Sequence, residues 1–587
     1  MTADGRHHRS SLVAAAAVLT RLGINNPNLK YDVIAGVTVS LVAIPQSLAY
    51  AQLAGVPAYY GLYAAFIPTI VGAVLGSSRQ LSTGPVAMTS LLTAASVAPL
   101  AGQGTELYSA YVILLALVSG VMQVAFGLLR AGMLLNFLSH PVLMGFINAA
   151  AMIIGLSQLP ALLGISTRQS DHFLSDIWHV LINIDAVHEI SAAFGICAII
   201  MLVVFRRFSP RMPGVLITVA LLTSISALID FAGMGGRVVG EIPSGLPSVS
   251  LPPLDVGATI ALLPASFVIA LISFMEAMSS AKVIAIRTRV PWNENRELVA
   301  QGLAKVAAAF CHSMPVSGSF SRSALNLALS ARSRLSSVIS ALCVLFTLLF
   351  FTSLLFHLPK AVLGAIIMMA VVNLIDFGAI RNAWKASRDD GTAAVVTFVA
   401  TLAFAPNIQN GIVTGIMLSL GLLLYRMTRP RVAALAVDTD GTLIEVTPRA
   451  MTPKHAKISA VRFDGALRFV NVSYFEDALI RLERANPQVA CILVKSSGIN
   501  GVDASGVEVL KNLVRRFRAN NIALAFSGLK QQVRDVMDRT GLVEDIGAEN
   551  IFATDRDAVR VLIDRFAAGE ANVAGTATPL NPERHAH

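Results

Sequence analysis

Apolar stretches broken by short polar loops occupy most of the chain, as far as Tyr425. We distinguish fourteen of them, seven before a Gly- and Pro-rich connection (Gly233 to Pro253) and seven after it. The first set covers residues 32–54, 57–75, 84–98, 109–129, 138–163, 190–205 and 213–232. The second set covers residues 257–281, 297–313, 319–330, 335–356, 360–376, 392–406 and 410–425. This pattern predicts a polytopic α-helical membrane protein with fourteen transmembrane segments.

The loops between the segments carry basic residues mainly on one side. If the N-terminus is cytoplasmic, the cytoplasmic loops hold the basic residues Arg79, Arg130, Arg206, Arg207, Arg211, Arg287, Arg289, Arg332, Arg334, Arg381, Lys385 and Arg388. The opposite loops are mostly neutral or acidic, which agrees with the positive-inside rule. Because seven is odd, the two sets then lie inverted, which predicts the 7+7 inverted repeat of many secondary transporters. We expect a cytoplasmic (inner) membrane protein with both termini in the cytoplasm.

Composition supports this class of protein and excludes others. Of the 587 residues, 55% are hydrophobic and only 14% are charged, which is unlike a soluble protein. The net charge of +10 lies largely in the short loops, so it does not indicate binding to nucleic acid. The four cysteines are scattered, and we expect no metal site, disulfide framework or cofactor. No pairing of a nucleophile with a base predicts an enzyme.

Charge and helical periodicity return after Arg426 and indicate a second domain. The parts that we expect are a cytosolic N-terminal segment (1–30), a transmembrane domain (31–430, with repeats at 31–232 and 255–428), a cytosolic domain (440–569) and a disordered tail (570–587).

The third segment of each set is too short to cross a membrane. As a helix, Gly84 to Pro99 would be about 24 Å long, against about 30 Å for the hydrocarbon core. Pro85 suits the first turn of a helix, so we predict extended backbone followed by a half-helix that begins near mid-depth. The alternative is a spanning helix kinked at Pro85. The short, hydroxyl-rich segment from Pro315 to Asn326 occupies the same place in the second set, which favours two half-helices. Their N-termini would together form an anion site.

Polar side chains inside the apolar segments are candidates for this site. Gln46 and Tyr50 share a face of the first segment and can offer polar groups to an anion. The alternative is that they bond to neighbouring helices. Arg322, in the first turn of the second half-helix, would attract an anion, since an intramembrane cation is costly and commonly functional. The alternatives for Arg322 are pairing with a carboxylate or reaching the surface.

Glu276 is the only charged residue between Asp255 and Lys282. In a low-dielectric setting a lone carboxylate can take up a proton, and while it is ionised it repels a nearby anion. Both effects predict that Glu276 couples proton binding to anion binding. The alternatives are a structural hydrogen bond, an ion pair with Lys305 or Arg322, or a sodium site.

Several segments resemble the signature of the sulfate permease (SulP) anion transporter family. The stretches that carry the resemblance are Asp32 to Val37, Pro45 to Ala51, Gly61 to Tyr63, Ser78 to Pro85 and Ser319 to Ser323. It implies seven plus seven helices in core and gate domains, usually a homodimer, and an anion site between the first, third, eighth and tenth helices. With the adjoining half-helix ends, the predicted anion-binding residues are Gln46, Tyr50, Gly84, Val86, Ala87, Ser319, Phe320, Ser321 and Arg322. Glu276 matches the carboxylate position of the eighth helix, where Glu rather than Asp favours protons over sodium.

From Ile458 the pattern changes to strands and amphipathic helices. We predict strands at 458–463, 467–472, 491–495 and 522–526, and helices at 475–484, 507–518, 531–540 and 555–566. The domain resembles the STAS domain of SulP proteins, and Asp503 to Gly506 matches the loop in which a serine of bacterial anti-sigma antagonists is phosphorylated. Ser505 is therefore a candidate regulatory residue. The alternative is that Ser505 opens a helix through the capping box Ser505 to Glu508.

These observations predict a secondary active transporter of a sulfate-, bicarbonate- or dicarboxylate-like anion, by proton-coupled symport and alternating access. The alternatives are an uncoupled anion exchanger or channel-like pathway, and a sodium-coupled bicarbonate symporter. A sensor that binds the anion without flux is a further alternative. The expected partners are the anion, protons (or sodium), the lipid bilayer, a second copy of the chain and a cytosolic protein at the STAS-like domain.

Overall fold

The structure is a computed structural model in which the chain forms two compact units, residues 1–419 and 420–587. The residues that it describes are 29–130, 139–165, 173–183, 185, 187–208, 212–243, 245–372, 374–437, 442–445 and 457–566. Almost all of the predicted N-terminal segment (1–30) and the whole of the predicted tail (570–587) lie outside these residues.

The first unit is built almost entirely from helices. Its first half contains α1 (Leu29–Leu53), α2 (Tyr59–Leu75), β1 (Ser82–Gly84), α3 (Ala87–Val97), α4 (Glu106–Leu128), α5 (His140–Ser157), α6 (Leu159–Leu163), α7 (Phe173–Ile182), α8 (Glu189–Phe208) and α9 (Gly214–Leu228). Its second half contains α10 (Val256–Thr288), α11 (Glu294–Phe310), β2 (Ser317–Ser319), α12 (Phe320–Ala328), α13 (Leu335–Phe350), α14 (Thr352–Leu355), α15 (Lys360–Val372), α16 (Phe377–Ala386), α17 (Arg388–Ala403) and α18 (Gln409–Thr428), which continues into the second unit.

Each of the fourteen predicted segments overlaps at least one of these helices. By length and composition, seven stretches of the described chain are able to cross a membrane: α1, α4, α5 with α6, α8, α10, α15 with α16, and α18. The helices α2, α3, α9 and α13 are apolar but shorter. The two short helices α3 and α12, with 11 and 9 residues, are those that follow the strands.

Helix packing relates the two halves of the first unit. Helix α4 packs against α10 and α11, and its counterpart α13 packs against α1 and α2. In the same way α5 packs against α17, while their counterparts α15 and α8 pack against each other. Each of these helices of one half thus contacts the same counterparts in the other half, as two inverted repeats require.

Small residues allow the closest of these helix contacts. A Cβ atom at Gly61 would lie 1.8 Å from the backbone oxygen of Ser47, which places α2 directly against α1. A Cβ atom at Gly145 would lie 2.2 Å from the backbone oxygen of Ala394, where α5 meets α17. The first contact fixes the helix that carries Gln46 and Tyr50.

The second unit contains a six-stranded sheet in the order β4-β3-β5-β6-β7-β8. Its strands are β3 (Arg431–Val437), β4 (Leu443–Glu445), β5 (Ile458–Asp464), β6 (Cys491–Lys495), β7 (Ala523–Ser527) and β8 (Ile551–Phe552). Its helices are α19 (Val472–Ala485), α20 (Ala504–Ala519), α21 (Gln531–Arg539), α22 (Leu542–Ile546) and α23 (Asp555–Phe566). β5 to β8 pair in parallel, whereas β3 pairs antiparallel with both β4 and β5.

Apolar residues fill both faces of this sheet. On one face Phe463 and Phe475 pack edge to face, with ring centroids 5.0 Å apart. On the other face Leu562 of α23 packs near Cys491. Burial raises the pKa of the Cys491 thiol to about 12, so this cysteine is an unreactive core residue.

The sequence-based prediction of a strand at 467–472 is wrong. Leu467 forms only an isolated bridge with Val502, and the chain then turns into α19. The Asn471 side chain closes this turn, because its Oδ1 accepts the Arg468 N–H at 3.0 Å and its Nδ2 donates to the Ala466 carbonyl. Conversely, β3 and β4 were not predicted, and β3 precedes residue 440, where we expected the soluble domain to begin.

The Gly61 contact predicts a large effect of a single methyl group. Gly61→Ala should lower the thermal unfolding temperature of the detergent-purified protein, since overpacking against a backbone oxygen costs about 3 kcal/mol. The control is Gly421→Ala, because a Cβ atom at this helical position meets no atom within 4 Å. Equal unfolding temperatures for the two variants would contradict the close packing of α1 and α2.

Candidate functional site

Two buried strands form the centre of the candidate site. β1 and β2 pair antiparallel, with Ser82 opposite Ser319, Thr83 opposite Gly318 and Gly84 opposite Ser317. Because the strands are antiparallel, the short helices α3 and α12 leave the pair in opposite directions. The predicted extended backbone followed by a half-helix is therefore confirmed in both halves. The alternative of a spanning helix kinked at Pro85 is wrong, since residues 82–84 are a strand and α3 begins only at Ala87.

Side chains of α12 hold the extended backbone of the first half. The Ser323 Oγ accepts the Ser82 N–H at 2.9 Å, and the Asn326 Nδ2 donates to the Gln80 carbonyl at 3.2 Å. From the same helix, the Arg322 Nη1 donates to the Pro85 carbonyl at 3.0 Å. These bonds supply partners that unwound backbone inside a membrane protein needs. They explain why the second half-helix is rich in polar residues.

The remaining polar groups of β1 are satisfied by α2 and α11. The Thr69 Oγ1 donates to the Thr83 carbonyl at 2.8 Å, and the Gln301 Nε2 donates to the Thr83 Oγ1 at 2.8 Å. The strands also need small residues, since a Cβ atom at Gly318 would lie 2.8 Å from the Ala277 Cβ atom. Gly84 is likewise required, because its Cβ atom would lie 2.8 Å from the Arg322 Nη2.

The two half-helix N-termini differ in their caps. Val86 precedes α3 with an extended backbone and provides no side-chain cap. Ser319 precedes α12, and its hydroxyl accepts the Arg322 N–H at 3.4 Å. The first turn of α3 therefore keeps N–H groups that no capping side chain satisfies, next to Arg322.

Arg322 is 2% exposed and lies where the two halves meet. Its Nη1 is bonded to the Pro85 carbonyl, whereas its Nη2 is buried and has no hydrogen-bond partner in the described part of the chain. Both alternatives for Arg322 are therefore excluded for the described residues, since it neither reaches the surface nor forms an ion pair. A guanidinium with a free buried N–H is a donor for an oxyanion.

The predicted residues of α1 also lie in this region. Gln46 is 8% exposed, and its Oε1 is buried without a partner among the described residues. Tyr50 is 6% exposed and interacts electrostatically with Arg322 and Glu276. The structure thus brings Tyr50, Glu276 and Arg322 together from three different helices.

The other predicted residues follow the two N-termini. Val86 and Ala87 are both 7% exposed at the start of α3. Ser321 and Phe320, in the first turn of α12, are exposed, and Phe320 reaches 56% although Ser319 and Arg322 beside it are buried. This side of α12 is therefore not covered by the described residues.

Glu276 lies on α10 beside the strands. Its Oε2 is buried without a hydrogen-bond partner among the described residues, and it forms no ion pair there. It interacts electrostatically with Lys305 and Arg322 and also with the side chain of Ser317.

Lys305 is a polar member of this region that we had considered only as a partner for Glu276. It is 0% exposed, and its Nζ donates to the Gln123 Oε1 and the Ser273 Oγ. The available signal was a cation inside an apolar segment, but the sequence does not show whether such a side chain turns inward or reaches the surface.

The predicted capping role of Ser505 is wrong. Asp503 caps α20, because its Oδ1 accepts the Gly506 N–H at 2.9 Å and its Oδ2 accepts the Phe469 N–H at 2.9 Å. Ser505 is exposed in the first turn of the helix. Its hydroxyl is therefore not committed to the cap.

Comparisons with known proteins agree with this architecture. The sequence model of the sulfate permease family matches residues 29–397, and that of the STAS domain matches residues 449–558. The chain is 33% identical to the chloroplastic sulfate transporter 4.1 of Arabidopsis thaliana, over 91% of this chain and 80% of the relative. It is 32% identical to a probable sulfate transporter of Mycobacterium tuberculosis, over 91% of this chain and 95% of the relative.

A solved structure resembles the whole fold. The murine Solute Carrier 26 family member A9 anion transporter, in its inward-facing state, superposes with a TM-score of 0.85 at 22% identity. The match covers 93% of each chain. The predicted fold class, a polytopic helical membrane protein with a STAS domain, is therefore confirmed. The family comparison also confirms the prediction of a transport protein and not an enzyme.

The cap of α20 gives a direct test of the Asp503 assignment. Asp503→Ala should speed hydrogen exchange of the amides in the first turn of α20 about fivefold, because loss of an N-cap costs about 1 kcal/mol. Ser505→Ala should leave these exchange rates unchanged. Mass spectrometry of the full-length protein measures both variants, and faster exchange in Ser505→Ala alone would restore the capping box that we reject.

Proposed function

Because the chain belongs to the sulfate permease family, and is thus an anion transporter, we propose that it is a secondary active transporter that moves an oxyanion together with a proton. One observation carries the proposal. At the junction of the two half-helices, the Arg322 Nη2 and the Glu276 Oε2 are both buried, and neither has a hydrogen-bond partner among the residues that the structure describes. Buried polar atoms without partners are costly, so a ligand and a proton that satisfy them bind favourably there.

The anion would bind between the first turns of α3 and α12. Arg322 would donate through Nη2, and the backbone N–H groups that follow Val86 would add to the positive potential at the start of α3. Gln46 and Tyr50 would provide polar groups from α1, and Ser321 a hydroxyl from α12. Gly84 leaves room for the Arg322 guanidinium, because a Cβ atom at residue 84 would lie 2.8 Å from the Arg322 Nη2. The names of the two relatives described above support a sulfate-like anion.

Glu276 would couple the proton. While it is ionised, its charge opposes that of Arg322 and repels an anion, and a proton on the free Oε2 removes the charge. Anion and proton would then bind favourably only together. This mutual dependence is what symport requires.

Two groups of helices would provide alternating access. α1 to α4 pack with α10 to α13 and carry both half-helices, whereas α5 and α8 pack with α15 and α17. The first group would move as the core domain and the second as the gate domain, which exposes the site on one side at a time.

We also propose a homodimer in the cytoplasmic membrane with both termini in the cytoplasm. The basic loops that we assign to the cytoplasmic side support this orientation. The STAS domain would bind a cytosolic protein, and exposed Ser505 would be the regulated residue, because a phosphate at a helix N-terminus is electrostatically favourable.

Arg322 should be needed for anion affinity in particular. We expect Arg322→Ala to weaken sulfate binding about 100-fold, because a charge-assisted hydrogen bond and the guanidinium charge are lost from a low-dielectric site. Arg322→Lys should restore only part of the loss, since lysine cannot hold the Pro85 carbonyl and an oxyanion in one plane. Equilibrium binding of labelled sulfate to purified protein measures this, with exposed Arg381→Ala as the control. Wild-type affinity in Arg322→Ala would contradict the site.

Glu276 should be needed for gradient-driven uptake. In proteoliposomes with an inward proton gradient, wild type should accumulate labelled sulfate, and Glu276→Gln should lose the accumulation but keep sulfate exchange. Exposed Glu189→Gln is the control.

Other outcomes distinguish the alternatives. Sulfate flux indifferent to the proton gradient in wild type would contradict symport and favour an exchanger or channel. Sulfate accumulation driven by a sodium gradient would indicate that the Glu276 carboxylate binds sodium and not a proton. Without sulfate flux, bicarbonate and dicarboxylates are the next substrates to test, and sulfate binding without any flux would indicate a sensor.

A further inference from the structure

Lys305 is a completely buried cation that anion recognition at the half-helices does not use directly. It lies on α11, is 0% exposed, and bonds through Nζ to the Gln123 Oε1 and the Ser273 Oγ. An ammonium group has three donors, and both of these acceptors are neutral. A charge in such a place is costly unless an opposite charge compensates it.

A short chain of contacts joins Lys305 to the anion site. The Ser317 Oγ donates at 2.8 Å to the carbonyl of Ser273, the residue whose side chain accepts from Lys305. Ser317 belongs to β2 and lies opposite Gly84, against which Arg322 packs. Lys305 also interacts electrostatically with Glu276. Its charge therefore acts on the site through a low-dielectric region and is poorly screened.

The buried charges in the described part of the first unit divide into two kinds. Asp32 and Glu297 are each 1% exposed or less and accept backbone N–H groups of neighbouring turns, from Arg332 and Ser333 and from Ser77 and Ser78 respectively. Glu276, Lys305 and Arg322 are instead grouped around the strand pair. Their charges add to +1 when Glu276 is ionised and to +2 when it carries a proton. A divalent anion bound with one proton therefore leaves the site neutral, whereas a monovalent anion leaves one uncompensated positive charge.

We propose that Lys305 is a specificity-determining residue, whose charge sets the preference of the site for divalent over monovalent anions. The proposal rests on the proposed function, since it assumes that anion and proton bind together near Glu276. A unit charge about 10 Å from a ligand, at an effective dielectric constant of about 20, changes affinity about tenfold for each unit of ligand charge. Neutralising Lys305 thus lowers the affinity for a divalent anion about tenfold more than the affinity for a monovalent anion.

The test compares uptake of labelled sulfate and labelled chloride, each exchanged against itself, in proteoliposomes with wild type, Lys305→Gln and Lys305→Arg. The ratio of sulfate to chloride uptake should fall about tenfold in Lys305→Gln. It should stay near the wild-type value in Lys305→Arg, which keeps the charge. Lys282→Gln is the matched control, because it removes an exposed cation from the same helix as Glu276.

An unchanged ratio in Lys305→Gln would overturn the proposal, and so would an equal loss in Lys305→Gln and Lys305→Arg, which would indicate packing. If Lys305→Gln does not fold, Lys305→Leu combined with Gln123→Leu removes the charge and its buried partner together. If this double variant also fails to fold, Lys305 is structural and the proposal falls. Wild type that carries chloride but no sulfate would overturn the charge preference alone. Wild type that carries neither anion would contradict the proposed function for a sulfate-like anion, and the charge preference with it.

Discussion

Backbone polar groups inside a membrane protein must find partners, and the pairing of β1 with β2 meets this requirement where the two halves of the chain cross. Each strand is only three residues long, so the ladder alone cannot satisfy the unwound segments. The side chains of α2, α11 and α12 complete it. Because these partners come from both halves, neither half can form its unwound segment without the other.

The same constraint places the chemistry. Each unwound segment is followed by a helix N-terminus, and antiparallel pairing brings the beginnings of α3 and α12 to one region. The Arg322 Nη1 satisfies the Pro85 carbonyl, and the Nη2 has no hydrogen-bond partner in the described part of the chain. The structural role of Arg322 and its proposed role in binding are thus two uses of one planar group. Lys305 is anchored to α4 and α10 by neutral acceptors, so its charge is not cancelled by its own hydrogen bonds.

Much of this architecture could be predicted because lipid imposes simple rules on sequence. Apolar length located a helix at each of the fourteen segments, and the shortness of two of them indicated the half-helices. What failed depended on polar contacts that leave no periodic signal. Asn471 replaces a predicted strand with a turn, and Asp503 takes the cap that the pattern assigned to Ser505. β3 was missed because its sequence is rich in alanine, a weak strand former, and begins only three residues after the end of a membrane helix. The burial of Lys305 depends on Gln123, which is 182 positions away in the chain.

The most direct measurement is an experimental structure of the protein with selenate bound. Selenate has the shape and charge of sulfate, and its heavy atom is easily located. We predict that selenate lies between the first turns of α3 and α12, within hydrogen-bonding distance of the Arg322 Nη2. Selenate bound elsewhere, with Arg322 paired to a carboxylate, would contradict it.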